Sequence, residues 1–528
     1  MGECYITRRG TKTGGDTEQL GIYPTGSDGR PMGNATVLDN VTTLSKYPFI
    51  ENDNVLTIAL PENLISLADY CFQKCTSLQN LSIPNKITTV SSYCFDGCTS
   101  LSKVVLPKNL IAINQYAFQN CTGLYDVVIP DEIESITVQS YAFSGCQGLD
   151  NETVTKLATL CSNTVSTYAF ANLTGITEVV ASCTTNYYFS NCSNLTKATI
   201  LKPLASGGMG SFVFNNCTKL TTVILPDKAT IINANMFNGR SSLTTVNIPT
   251  STITIDDSAF AGTSINNIVL PDTLTTISSS AFNGCTKLTS INIPDKVTSI
   301  GGSAFYNCTN LTSVTVSENA NYTLGRYAFR STGVTDACVA DIMSHASSVE
   351  SHIFDTCNSL ENVKVKYFGT NMFSNCTNLK TAKSTGTGSS TGNTVFSNDT
   401  ALETVIFSEE TTTIGTKVFY GCTSLKTVYL PSSITTAINS SLTSTSSSYY
   451  VFYNCTALED VQLGQDWNMS LRLNVSNNLT VDSMVAMFNS LKDLTGNTAK
   501  TLTLGSKNLA KLTDEQKLIA TNKNWTLA

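Results

Sequence analysis

Cysteine is the residue whose spacing in this chain most directly suggests chemistry. Twelve of the eighteen cysteines stand three residues after a phenylalanine: Cys75, Cys98, Cys121, Cys146, Cys192, Cys217, Cys285, Cys308, Cys357, Cys376, Cys422 and Cys455. Cys71 and Cys94 add Cys-x-x-x-Cys pairs with Cys75 and Cys98, a spacing that on a helix could hold a metal ion or close a disulfide. Two observations weigh against a ligand set. Equivalent positions hold Leu173, Arg240, Thr332 and Asp399, which share no coordination role, and Cys71 and Cys94 stand where later copies have Ala117 and Ala142. The expectation is a column of small buried thiols at a turn, with no metal and no cofactor.

The inventory for catalysis is thin. His345 and His352 are the only histidines. Seven residues apart, they could share one helix face, but no cysteine or carboxylate constellation surrounds them. Nothing resembles a phosphate-binding loop or a nucleophile elbow. The chain is therefore expected not to be an enzyme.

Two sets of residues suit binding better. Tyrosine stands two residues before a phenylalanine in seven consecutive copies: Tyr47, Tyr70, Tyr93, Tyr116, Tyr141, Tyr168 and Tyr187. In a regular strand such a residue would share the inward side of the phenylalanine, whereas a turn would send it out. An outward stack would be an aromatic platform for sugars or a protein, and an inward one would be part of the core. The second set lies eight and ten residues past each phenylalanine, on a strand face expected to be concave. It includes Thr57, Asn80, Lys103 and Asp126 at one position, and Lys364, Lys383 and Tyr429 at the other. Such side chains suit a polar glycan or protein surface, and equally a plain hydrated sheet.

The element that must position all of these is a repeat. An anchor phenylalanine recurs at eighteen positions from Phe49 to Phe452, about 24 residues apart on average and so inside the range of roughly 20 to 29 for leucine-rich repeats. Five or six residues after every anchor comes Leu, Ile or Val, as at Leu78, Leu101 and Leu124. Pro often closes the copy, as at Pro84, Pro107 and Pro130, where it ends a strand because it cannot donate to the ladder. One copy cannot bury its own apolar side chains, so copies must stack at the inter-strand spacing of ~4.8 Å.

The run from Tyr116 to Pro130, Tyr-Ala-Phe-x-Asn-Cys-Thr-x-Leu-x-x-Val-x-Ile-Pro, resembles the BspA-like (Treponema-type) leucine-rich repeats of bacterial surface proteins, some protist proteins and certain phage-encoded proteins. The match covers about residues 45–465. The resemblance implies a β-rich solenoid, a leucine-rich-repeat superhelix of about eighteen repeats with short helical inserts and terminal caps, and it implies adhesion or recognition. The first ten residues, Met1 to Gly10, look like the start of some phage tail-associated proteins.

Composition agrees with this reading and excludes others. Charged residues make up 13% and hydrophobic ones 41%, and the abundance of Thr, Ser and Asn favours short strands and turns. A net charge of -7 without a basic stripe argues against nucleic-acid binding. The opening residues lack the apolar core of a signal peptide, Ile6 breaks the pattern for Gly2 myristoylation, and no window approaches eighteen apolar residues. The expectation is a chain neither exported by a cleaved signal nor inserted in a membrane.

The expected organisation is an N-terminal cap or attachment segment at 1–44, the solenoid at 45–465, and a capping region at 466–528. Spacings of three and four predict helices from Asp150 to Cys161, Thr335 to Met343 and Thr480 to Leu491, each replacing a connecting segment on the convex side. Thr513-Asp-Glu-Gln516 is a capping-box sequence, and Trp525 to Leu527 could add a last strand. Ser384–Gly392 and Ser440–Ser448 read as mobile loops. Functionally, the leading expectation is a virion-associated protein, bound to other virion proteins through residues 1–44 and recognising a host surface glycan or protein. The alternatives are a bacterial or protist adhesin at a cell surface, and a purely structural virion subunit, with a homo-oligomer possible.

Overall fold

A phenylalanine repeated at this interval is buried only if successive copies lie over one another. In the computed structural model they do. Phe72 and Phe95 stack with 5.3 Å between ring centroids and 2° between planes, and Phe282 and Phe305 with 5.4 Å and 1°. The structure describes residues 3–5, 21–24, 32–44, 49–162, 166–386 and 390–528. It divides into two compact units, Met1–Ile265 and Asn266–Ala528. Each is a stack of parallel strands, and the chain forms a parallel β-solenoid of about 21 turns with few helices. This is the expected fold class.

One turn shows how the sequence builds the layer. The strands Asn80–Ser82, Lys103–Val105 and Asp126–Val128 pair parallel and in register, Asn80 with Lys103 and Lys103 with Asp126. Their middle residues Leu81, Val104 and Val127 are buried, so the residues on either side face out. Proline then ends the strand and starts a tight turn. The carbonyls of Pro84 and Pro107 accept the N–H groups of Ile87 and Leu110 at 3.0 and 3.1 Å. A second short strand follows, with Thr89–Val90, Ala112–Ile113 and Thr137–Val138 again parallel. Phe72, Cys75 and Leu78 of a single turn are all 0% exposed. At roughly 1.5–3 kcal/mol for each large apolar side chain buried, stacking holds each layer.

Two corners of the turn adopt the left-handed conformation. Two residues before the anchor, Tyr70, Tyr93 and Tyr116 have φ of 62°, 57° and 60°. Two residues after it, Gly97, Asn120 and Gly145 have φ of 74°, 56° and 81°. Gly and Asn tolerate this region best, which explains the recurring Asn-Cys-Thr triplet without appeal to glycosylation.

The cysteine column closes the gap between turns. Each thiol donates to the carbonyl of the anchor one turn earlier: Cys98 to Phe72 at 3.0 Å, Cys121 to Phe95 at 3.1 Å and Cys422 to Phe396 at 2.9 Å. Where cysteine is missing, apolar Leu173 or a different polar group takes the same space. Arg240 puts Nη1 3.1 Å from the Phe214 carbonyl oxygen, and Thr332 donates to the Phe329 carbonyl at 2.7 Å. The described cysteines are buried free thiols, Cys71 and Cys94 included.

Three helices match the predicted inserts: α1 (Asn151–Leu160), α2 (Asp336–His345) and α3 (Val481–Ser490), capped by Asp150, Thr335 and Thr480. Their position corrects the expectation of a convex-side insert. Each takes the place of a strand in the outward-facing sheet. Asn151 Oδ1 accepts the N–H groups of Thr177 and Glu178 at 2.8 and 3.2 Å, and the Asp336 carboxylate accepts those of Glu361 and Asn362, both at 3.0 Å. Ser483 Oγ does the same for Val461 at 2.9 Å. Side-chain oxygens thus stand in for the carbonyls of a missing strand, and each helix ends one run of the ladder.

In the first unit Glu3–Tyr5 pairs antiparallel with Gly21–Pro24, which pairs antiparallel with Gly33–Val37. In the second, Leu471–Arg472, Lys500–Thr503 and Trp525–Leu527 form a parallel sheet, beside a helix at Asp514–Thr521 that opens on the predicted capping box. Part of the predicted loop at 384–392 lies outside the described residues. Among those described, no helix is long and apolar enough to cross a membrane.

Candidate functional site

The tyrosine column faces outward because its backbone is left-handed at every step. Tyr70, Tyr93, Tyr116, Tyr141, Tyr168 and Tyr187 are half-buried. Their rings lie on one another, with centroids 4.5–4.8 Å apart and 6–11° between planes, and Phe212 extends the stack beyond Tyr187 at 4.9 Å. Partial burial, and then the neighbouring phenols, push the Tyr93 and Tyr168 hydroxyls above their ordinary pKa, and burial does the same for Tyr141. Within the column, ring faces are spent on each other, leaving edges and hydroxyls. A sugar that stacks on an aromatic face finds none between neighbouring members. Tyr47 lies outside the described residues.

The strand face differs from place to place in how its charges are paired. Lys103 meets Asp126 at 2.7 Å and Lys197 meets Glu178 at 3.8 Å, each across one turn, while Lys74 meets Glu51 at 3.0 Å off that face, in the corner two residues after the anchor. In the second unit the sequence alternates Glu361, Lys380, Glu403, Lys426 and Glu459 up successive turns, with Lys380 2.9 Å from Glu361 and Lys426 3.5 Å from Glu403. Three residues beyond that charge ladder the pattern breaks. Lys364 and Lys383 are register partners on adjacent strands, both exposed, and neither forms an ion pair among the described residues. Ile406, Tyr429 and Gln462 continue the same outward row over Thr404–Ile406, Thr427–Leu430 and Asp460–Leu463.

Tyr429 differs from the column tyrosines. Its hydroxyl donates to Glu409 Oε1, and burial followed by that carboxylate pushes the phenol up to about 12. No aromatic ring stacks on it among the described residues. The fold thus brings Lys364, Lys383 and Tyr429 into one row of one five-stranded sheet and leaves Lys103, already neutralised, in the other unit. Sequence reasoning missed Lys366, whose Nζ donates to the carbonyl of Ser344 at the end of α2 over 2.9 Å. Its one signal was a third lysine two residues beyond Lys364.

The histidines do not share a face. His345 closes α2, with Nδ1 2.9 Å from the Asp341 carbonyl oxygen, while His352 occupies the turn column against Tyr327 at 4.7 Å and 55°. Burial holds the His352 imidazole below its ordinary pKa, helped by Arg326 and Arg330 and opposed by Asp355. Beside α1 lies a cleft of about 480 Å³ lined by Lys156, Glu178 and Lys197 among others. Its lysines are paired, Lys156 with Asp131 at 3.2 Å and Lys197 with Glu178. Among the described residues no group of three or more His, Cys, Asp or Glu is placed to hold a metal ion.

The family model described as BspA type Leucine rich repeat region, six copies, matches residues 29–150, 136–241, 207–335 and 322–448. No curated protein matches. Similar solved structures include a leucine-rich repeat protein from Bacteroides ovatus, 21% identical over 81% of this chain and 93% of that one, with a TM-score of 0.38. Others are a leucine rich cell surface protein from Faecalibacterium prausnitzii (22%, covering 86% and 95%, TM-score 0.30) and a leucine-rich repeat protein from Eubacterium ventriosum (16%, covering 79% and 90%, TM-score 0.30).

Proposed function

Since the chain belongs to the BspA-type leucine-rich repeat family, we propose that it is a non-enzymatic recognition or adhesion protein that binds a host surface glycan or protein through the outward face of its strands. The observation that carries this is the row Lys364, Lys383, Ile406, Tyr429 and Gln462, where charge is left unpaired and an aromatic ring is free of other rings. A protein that pairs Lys103 and Lys197 with carboxylates on its other strands gains no stability from two stacked lysines, since like charges opposite each other destabilise a sheet. A ligand supplies the reason to keep them.

Two settings fit this reading. The resemblance of Met1 to Gly10 to phage tail-associated proteins supports a virion protein held through residues 1–44, with 45–465 as the binding solenoid and 466–528 as its cap. Family membership supports the alternative, a bacterial or protist adhesin at a cell surface. Mass spectrometry of purified phage particles and surface biotinylation of intact cells decide between them. The binding reading is tested by screening the full chain against a glycan array and purified host surface proteins, alongside Lys364→Gln, Lys383→Gln and Tyr429→Ala. Hits weakened by these substitutions and unmoved by Tyr116→Phe support it, and hits indifferent to all of them sink it.

A further inference from the structure

The sheet that carries Lys364 and Tyr429 is closed at both ends by helices. α2 packs against Asn362–Val365 and α3 against Asp460–Leu463. Between them lie five strands, so the open face measures about 20 Å from the first strand to the last. Both helices bury one stripe in the core, Val339, Ile342 and Met343 on α2 and Met484, Met487 and Phe488 on α3. A helix is ~10–12 Å across, so its opposite side stands above the sheet and walls the face. The result is a bay of limited length.

Charge is unevenly spread along it. At the α2 end stand Lys364, Lys366 and Lys383. Among the described residues no acid forms an ion pair with these three: Asp341 accepts the Val316 N–H and meets His345, Glu409 accepts from Tyr429, and Glu361 meets Lys380. At the α3 end Asp460, held by Gln462 at 2.7 Å, gives the floor the opposite sign. Ile406 and Tyr429 lie between.

We infer that the bay between α2 and α3 receives a short oligosaccharide with an acidic group at one end, the acid over Lys364, Lys366 and Lys383 and the neutral sugars over Ile406 and Tyr429. This rests on the strand-face reading above and names the ligand class for it. An ammonium group suits any compact oxyanion, so carboxylate, sulfate ester and phosphate share the required chemistry. The helical walls limit how many sugars contribute, and Asp460 disfavours a chain charged throughout its length.

The test is calorimetric titration of the full chain with one neutral oligosaccharide series of increasing length and its end-carboxylated, end-sulfated and end-phosphorylated forms. The expected result is an affinity gain of about tenfold or more from the acid, lost in Lys364→Gln/Lys383→Gln while thermal stability holds or rises slightly. The three acid forms show which oxyanion is preferred. Affinity should also stop rising once the chain spans about 20 Å. No gain from the acid, or a gain that survives the double substitution, overturns the inference. Binding of neutral sugars alone, lost in Tyr429→Ala, overturns it while leaving the recognition reading intact, as does capture of an acidic protein through the same lysines. A uniformly charged glycan that binds as well as the end-charged one overturns the assigned orientation. Partners that ignore every strand-face substitution remove both readings together.

Discussion

The carboxyl group of Asp399 takes the backbone N–H of Cys376 at 2.8 Å through Oδ1, in a place where most turns put a cysteine, and its Oδ2 has no hydrogen-bond partner among the described residues. Burial drives its pKa well up, Asp355 adds to this, and the Cys376 N–H opposes it. A folded-state pKa above the unfolded one means stability is fully present below the unfolded pKa and is lost as pH rises through the folded one. Asp399→Cys restores the thiol and should raise stability at pH 8 by about 1–3 kcal/mol, with the gain shrinking towards pH 4. Calorimetric melting at the two pH values checks it, and an equal gain at both would show that the carboxyl is not the cause.

The thiol column should be inert. Cys98, Cys121 and Cys376 are wholly buried, and burial raises their pKa well above that of a free thiol. Thiolate is the reactive form. Iodoacetamide should leave these residues unmodified in the native chain and alkylate them in denaturant, as read by peptide mass spectrometry. Rapid native labelling of Cys98 would contradict the packing described.

Tyr116 contributes two ring stacks while holding a left-handed backbone. Tyr116→Ala should cost about 1–3 kcal/mol, from two aromatic pairs at ~0.5–1.5 kcal/mol each. Tyr116→Gly should cost about 1 kcal/mol less, because glycine adopts the left-handed region freely. Chemical denaturation orders the three proteins, and alanine proving the milder change would mean that the backbone term is negligible.

Lys383→Glu should act in opposite directions on stability and binding. It turns the repulsion with Lys364 into attraction across adjacent strands, so the melting temperature should hold or rise slightly while affinity for an acidic ligand falls. Lys380→Glu, in the neighbouring charge ladder, should lower the melting temperature by breaking the pair with Glu361. A fall in stability for Lys383→Glu would assign that lysine a structural role.

Much of the solenoid was legible because its code is short. The Phe anchors, the following Leu and the closing Pro fix one layer, and Asp150, Thr335 and Thr480 mark the helix starts. The anchor count of eighteen roughly fits the solenoid of about 21 turns, and turns such as those of Lys500–Thr503 and Trp525–Leu527 carry no such phenylalanine. The side on which the helices sit was not legible, since a spacing of three and four describes a helix and not its neighbours. Nor was the direction of Tyr93, which depends on one backbone angle that tyrosine rarely adopts. Lys366 escaped notice because its partner, the Ser344 carbonyl, is supplied by a helix twenty-two residues earlier.

The helices that replace strands also bear on how such a chain yields under load. Parallel strands peel one layer at a time, each turn supported only by its neighbours. At α2 and α3 the backbone ladder gives way to side-chain contacts from Asp336 and Ser483, so unpeeling that starts at one end must break a different kind of joint there. A molecule pulled from its ends would lengthen in bursts bounded by those joints, keeping one stretch of strands intact while another has already come apart.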